Sequence, residues 1–214
     1  MKKIISLLLM LILAFSMSSC GEGNNGVLSL VESASPTKIS TVTAYVVSDT
    51  EVYNGNYTMS IEGNDSIFEF TYERPASIEE MAPGAKVSET GVVYYKDGLY
   101  SYDGSEWNAE APSAVKISFN LKKEYFDSCT ESANSLVATV SGENIAKVLG
   151  SDIGVDGSVT IEVKTNGIYV TRIDVDYKST NGATVSVATS YTYDAIDLKF
   201  PGEPAEEEGG AEAE

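Results

Sequence analysis

Apolar and polar residues alternate along most of this chain, and the dominant period is two. Ile39, Thr41, Thr43, Tyr45 and Val47 share one face of a long strand. Tyr57, Met59 and Ile61 do so in the next, and Phe68, Phe70 and Tyr72 in a third. Gly63-Asn64-Asp65 supplies tight-turn residues between those last two. The stretch VVYYKDGLYSYDGSEW, from Val92 to Trp107, holds two close turn signals, Asp97-Gly98 and Asp103-Gly104, and reads as a narrow meander. Lys116–Leu121 and Ser135–Val140 predict two more strands. Behind them, Val159, Ile161 and Val163 lead into Asn166-Gly167. Tyr169, Thr171, Ile173, Val175 and Tyr177 then lead into Asn181-Gly182. Val185, Val187, Thr189, Tyr191 and Tyr193 run back, followed by Ile196, Leu198 and Phe200. Asn-Gly suits a type I′ turn, so this back half predicts a three-stranded antiparallel meander.

Helical signals are few. Ile145, Val148 and Leu149 form one short apolar stripe, with Ser141 as cap and Gly150 as terminator. Val27–Ser33 has the makings of a helical turn that Pro36 stops, and Pro75 and Pro83 bracket SIEEM, a loop or single helical turn that reads as plain surface, with a lid through Ile78 and Met81 as the alternative. One short helix cannot bury this many amphipathic strands. The chain is therefore expected to be mainly β with a minor α component. The expected core is a strongly curved antiparallel sheet, or half-barrel, of about 9–11 strands, with a flat sandwich as the alternative.

The N-terminus has a different character. Lys2 and Lys3 precede an apolar run from Ile4 to Phe15, then small residues and Cys20. About a dozen apolar residues are too few to span a bilayer, which takes about 20. SMSSC resembles a bacterial lipobox, in which Cys20 becomes the lipidated first residue of the mature protein; simple cleavage of a secreted protein is the alternative. The expected organisation is a lipoprotein signal peptide over 1–19, lipidated Cys20 and a tether over 20–35, a β domain over 36–200, and a disordered acidic tail over 201–214 with six glutamates. Localisation follows: the cell membrane or outer membrane, lipid-anchored and facing away from the cytoplasm.

Charge and composition narrow the chemistry. The chain carries −18; without Lys2 and Lys3 the mature part has 12 basic and 32 acidic residues, or −20. Such a surface repels nucleic acid and anionic headgroups, so membrane attachment falls to the lipid on Cys20. With no histidine, Ser-His-Asp triads, Cys-His pairs and His-ligated metals are out of reach. Cys129 is the lone cysteine after Cys20 and is expected to be buried as a small apolar residue, with a reactive thiol as the alternative. Asp152, Asp156-Gly157, Asp174/Asp176 and Asp194/Asp197 lack the spacing of a calcium loop and read as solvated acids. A carboxylate pair for glycoside hydrolysis has no acid in a clearly apolar setting to support it. No catalytic residue, metal site or cofactor is expected, and a monomer is.

The lipobox-like start, the chain length and the run of long antiparallel strands resemble the half-barrel lipoproteins of the LolA and LppX/LprG type. VVYYKDGLYSYDGSEW is similar to the middle of many exported Gram-positive lipoproteins, where a Lys-Asp-Gly hairpin flanked by tyrosines recurs. The resemblance covers residues 38–200. It implies a concave sheet face that takes up acyl chains, with no catalytic residues to carry over. From the alternation, Tyr45, Met59, Phe68, Phe70, Val163, Ile173, Val187 and Tyr191 point inward and would line that cavity. Tyr95, Tyr100, Tyr102 and Trp107, with Tyr94, form the densest aromatic group and a second, surface candidate; cross-strand packing is the alternative. Two functions remain: a protein that binds a lipid or other hydrophobic ligand, and a cell-surface structural or interaction protein with a closed core that recognises protein or glycan.

Overall fold

Two alternating runs of sequence build the two halves of one sheet. The computed structural model describes residues 26–47, 50–76, 86–102, 106–108, 119–150 and 153–202. Helix α1 (Val27–Glu32) leads into β1 (Lys38–Val47), β2 (Thr50–Glu62), β3 (Asp65–Pro75), β4 (Lys86–Lys96) and β5 (Leu99–Tyr102). After a 3-10 turn at Lys123–Tyr125 come β6 (Ser128–Glu131), β7 (Ser135–Ser141), α2 (Asn144–Leu149), β8 (Val155–Thr165), β9 (Val170–Ser179) and β10 (Thr184–Thr192). All ten strands join one sheet in the order β5-β4-β3-β2-β1-β10-β9-β8-β7-β6, and every pairing is antiparallel. The first five strands form one meander and the last five another. They meet where β1 pairs with β10, so β5 and β6 lie at opposite edges and the sheet stays open. The mainly β, single-sheet expectation holds.

The core belongs to the back half. Val159, Ile161, Val163, Ile173 and Val185 are fully excluded from solvent. Cross-strand pairs stack them in rows, Val163 opposite Ile173 and Ile161 opposite Val175. Each such side chain stabilises the fold by about 1.5–3 kcal/mol. Two helices cover this face rather than the one expected: α1 places Val27 and Val31 against β7, β8 and β9, and α2 packs Ile145, Val148 and Leu149 onto β7. Gly26 has no side chain to cap α1, and Glu131 of β6 does so across the chain: the Val27 amide donates to Glu131 Oε1 at 2.7 Å.

Several local readings are corrected. Gly150 ends α2 in the left-handed region at φ 72°, as expected. Ser141, however, closes β7 instead of capping the helix, and α2 has no side-chain cap. The described part of the expected strand at 116–121, Phe119–Leu121, is irregular, while the unforeseen β6 forms the edge from SCTE, a segment with no apolar alternation to reveal it. Cys129 lies on that edge and is exposed; β6 is an edge strand paired only with β7. Type I′ geometry needs positive φ at both central residues. Asp97 (52°) and Gly98 (79°) have it, whereas Asn166 and Asn181 do not and only the following glycines do. The two Asn-Gly connections are accordingly longer than two residues. A bulge at Thr171 shifts the phase of β9, so Val170 is buried and Tyr169 exposed, the reverse of strict alternation. Finally, the segment after β10 adds no strand. It crosses the outer face of β2–β4, where the Leu198 amide donates to Glu62 Oε2 at 3.4 Å and Phe200 lies 6.3 Å from Tyr94.

Cys20, the SIEEM segment with Ile78 and Met81, Asp152 and the acidic tail beyond Gly202 lie outside the described residues, as does the side chain of Tyr102. No helix among the described residues is long and apolar enough to cross a membrane.

Candidate functional site

The inner face of the sheet changes chemistry from one half to the other. Over β7–β10 it is aliphatic and covered by helices. Along the β1/β10 seam it is lined by hydroxyls. The Thr41 and Thr189 hydroxyls bond at 3.2 Å, and Thr43 Oγ1 is buried with no hydrogen-bond partner among the described residues. Over β2–β4 the face is aromatic. Alternation in β2 turns Tyr53, Gly55 and Tyr57 inward, and the register sets Gly55 between Thr43 of β1 and Tyr72 of β3.

Six rings form a continuous path across this face. Tyr57 stacks on Phe68 at 6.3 Å, Phe68 on Phe70 at 5.8 Å, Phe70 on Tyr72 at 6.1 Å and Tyr72 on Tyr53 at 5.9 Å. Tyr45 meets Tyr53 edge to face at 5.5 Å. A hydrogen bond between the Tyr53 and Tyr57 hydroxyls closes five of these rings into a loop around Gly55. The bare glycine leaves room for this bond: a Cβ on Gly55 would fall 2.6 Å from Tyr57 Oη and 2.8 Å from Tyr53 Oη, and the ring ends would have to shift. At the rim, the Tyr72 hydroxyl donates to Glu89 Oε2, and Arg74 holds the other oxygen of Glu89 through Nη2 at 2.8 Å and Nε at 3.2 Å.

Burial keeps these phenols neutral. It pushes Tyr57 up to about 12. Burial, together with the hydrogen bond to Glu89, pushes Tyr72 up to about 12 as well. Tyr53, Tyr45 and Tyr177 are also raised, chiefly by burial. Neutral hydroxyls on stacked rings suit an amphiphile: the ring faces accommodate an apolar chain and the hydroxyls a polar group.

The structure divides the eight inward residues read from sequence. Met59, Phe68 and Phe70 share one cluster with Tyr57 and Val93, whereas Tyr45 packs against the aliphatic core and reaches the aromatic side only through its ring contact with Tyr53. Val163, Ile173, Val187 and Tyr191 belong instead to the aliphatic core beneath the helices. The surface aromatics are divided by the pleat. Tyr95 and Tyr100, 6.5 Å apart, pack against the Phe68 cluster on the inner face. Tyr94 and Trp107 contact Phe200 on the outer one. Sequence reasoning missed Tyr53, Tyr72, Arg74, Glu89, Thr43 and Gly55 as site residues. The one available signal was Tyr53-Asn54-Gly55-Asn56-Tyr57, a glycine between two tyrosines in strand phase.

Asp174 and Asp176 lie on the outer face as expected. Asp174 pairs with Arg172 at 2.7 Å and Lys164 at 3.3 Å, and Asp176 accepts from Ser186 Oγ at 2.6 Å. Among the described residues no three His, Cys, Asp or Glu side chains come together to hold a metal ion.

No family model matches this chain, and no curated protein matches it. Among solved structures, the hypothetical protein CT021 from Chlamydia trachomatis aligns over 83% of this chain and 98% of its own, at 7% identity and a TM-score of 0.31, a likeness too slight to carry a conclusion.

Proposed function

We propose that the chain is an exported bacterial lipoprotein, anchored through Cys20 and without catalytic activity, that binds a lipid or other hydrophobic ligand on the aromatic face of β2–β4. One observation carries the reading. The inner face of β7–β9 is sealed by α1 and α2, whereas no helix among the described residues packs on β2–β4, where Tyr53, Tyr57, Phe68, Phe70 and Tyr72 form a stacked, hydroxyl-edged surface. That surface is narrower than a cavity running the whole width of the sheet.

The alternative, a surface interaction protein with a closed core, is favoured by the burial of Val163, Ile173, Val187 and Tyr191 at 0–6% exposure and of Tyr53, Tyr57, Phe68 and Tyr72 at 5–8%. Native mass spectrometry of the purified chain separates the two. Co-purified lipid that is lost in a Phe68→Asp, Tyr72→Asp variant supports the first reading; a chain that carries no lipid and takes up none from vesicles sinks it. For the anchor, Cys20→Ala should release a folded soluble domain, and a variant that stays in the membrane would refute lipidation.

A further inference from the structure

The most exposed large apolar residues among those described sit together on one turn. Between β8 and β9, Ile168 is 66% and Tyr169 47% exposed. The turn is held firmly for so exposed a place. Asn166 Oδ1 accepts from the amides of Ile168 at 3.0 Å and Tyr169 at 2.8 Å, and the Tyr169 ring stacks on Tyr193 at 4.5 Å. The β9 bulge turns Tyr169 outward onto Tyr193, and Ile168 stands beside it on the turn at 66% exposure.

The turn also lies at the end of the sheet from which the N-terminus leaves. Val27 is capped by Glu131, the last residue of β6. The β6–β7 turn follows directly, and its Asn134 accepts from the Thr165 amide at 2.9 Å, next to the Ile168 turn. Only five residues separate Cys20 from Gly26. Fully extended, the six steps between the two reach about 20 Å. A lipid on Cys20 therefore keeps this end of the sheet close to the bilayer. The two adjoining turns, Ser132-Ala133-Asn134 and Asn166-Gly167-Ile168-Tyr169, carry no charge in a chain of net −18, and the neighbouring Glu131 is paired with Lys123 at 3.5 Å, which lessens the repulsion this corner meets at headgroups.

We infer that the Ile168–Tyr169 turn is a second foothold on the bilayer, entering the headgroup region beside the lipid on Cys20; the inference rests on the anchored reading above. Isoleucine gains by leaving water, and tyrosine suits the interface because its ring is apolar and its hydroxyl is not. The foothold sets how the domain stands: the sheet end with Ile168 down, and the open ends of β2–β4 at a fixed height above the lipid.

The test uses the full chain, exported by a bacterial host and reconstituted in phosphatidylcholine vesicles with brominated acyl chains. It carries Ile168→Trp in a Trp107→Phe background, with Val42→Trp on the exposed outer face as control. The expected result is at least about a twofold loss of emission from position 168 relative to unbrominated vesicles, with none at position 42. An unquenched signal on vesicle-bound protein overturns the foothold and leaves the anchor standing. Emission shifted equally to the blue without vesicles assigns the turn to a second copy of the chain and overturns it too. A chain that emerges unlipidated and unbound removes both readings.

Discussion

The hydroxyls of Tyr53 and Tyr57 are hydrogen-bonded to each other over the bare backbone of Gly55, five residues of one strand closing on themselves. Inward-facing tyrosines two strand repeats apart do not ordinarily meet in this way, because the residue between them fills the gap. Gly55→Ala should therefore drive the two rings apart and cost about 1–3 kcal/mol, the usual penalty of overpacking. Urea denaturation measures it; an unchanged midpoint would show that the rings swing aside freely.

Hydroxyls on the seam make a paired prediction. Thr41→Val leaves the Thr189 hydroxyl buried without its partner and should cost about 1–3 kcal/mol. Thr43→Val removes a buried hydroxyl that has no partner among the described residues, and should be neutral or stabilising. Equal losses in the two variants would contradict the assignment.

Alkali should unfold the domain through its tyrosines. Tyr57 and Tyr72 have an ordinary value of 10.0 and are raised to about 12 in the fold. Below pH 10 both states hold the proton and the stabilisation is complete. Above it the unfolded chain releases protons first, so stability falls until the folded groups ionise near 12. Tyrosinate absorbance and circular dichroism, followed together, check this. Ionisation of all the tyrosines at pH 10 with the fold intact would contradict the burial of these rings.

The long-range cap on α1 is open to direct measurement. Glu131→Ala removes the acceptor for the Val27 amide and should cost about 0.5–2 kcal/mol. Amide exchange should quicken in α1 and stay unchanged in β9; uniform quickening would mean the cap supports more than the helix.

The two halves of the sheet should respond differently to truncation. Ile173→Ala opens a cavity in a face sealed by helices and should cost about 2–5 kcal/mol. Val42, 46% exposed on the outer face, should tolerate alanine within about 0.5 kcal/mol. Denaturant midpoints of the two variants suffice to compare them.

Period-two alternation by itself determined the strands and which residues face inward, because a strand sends successive side chains to opposite sides whatever lies around it. Ile161, Val163, Ile173 and Val187 were legible for that reason, as was Gly150 at the end of α2. Pairing across the chain was not legible. That β1 joins β10 depends on contacts between residues more than a hundred positions apart, which leave no local trace. The SCTE segment becomes the far edge by pairing with nearby β7, but it carries no apolar alternation to announce a strand. The bulge that buries Val170 and exposes Tyr169 lies in the pairing of β9 with β8 and is equally silent in the alternation. The site was half legible: Phe68 and Phe70 declared themselves as inward aromatics. Which inward residues lie under a helix and which form the aromatic face beside them was decided only in three dimensions, because α1 and α2 are too short to cover ten strands and tertiary packing set them over the aliphatic half.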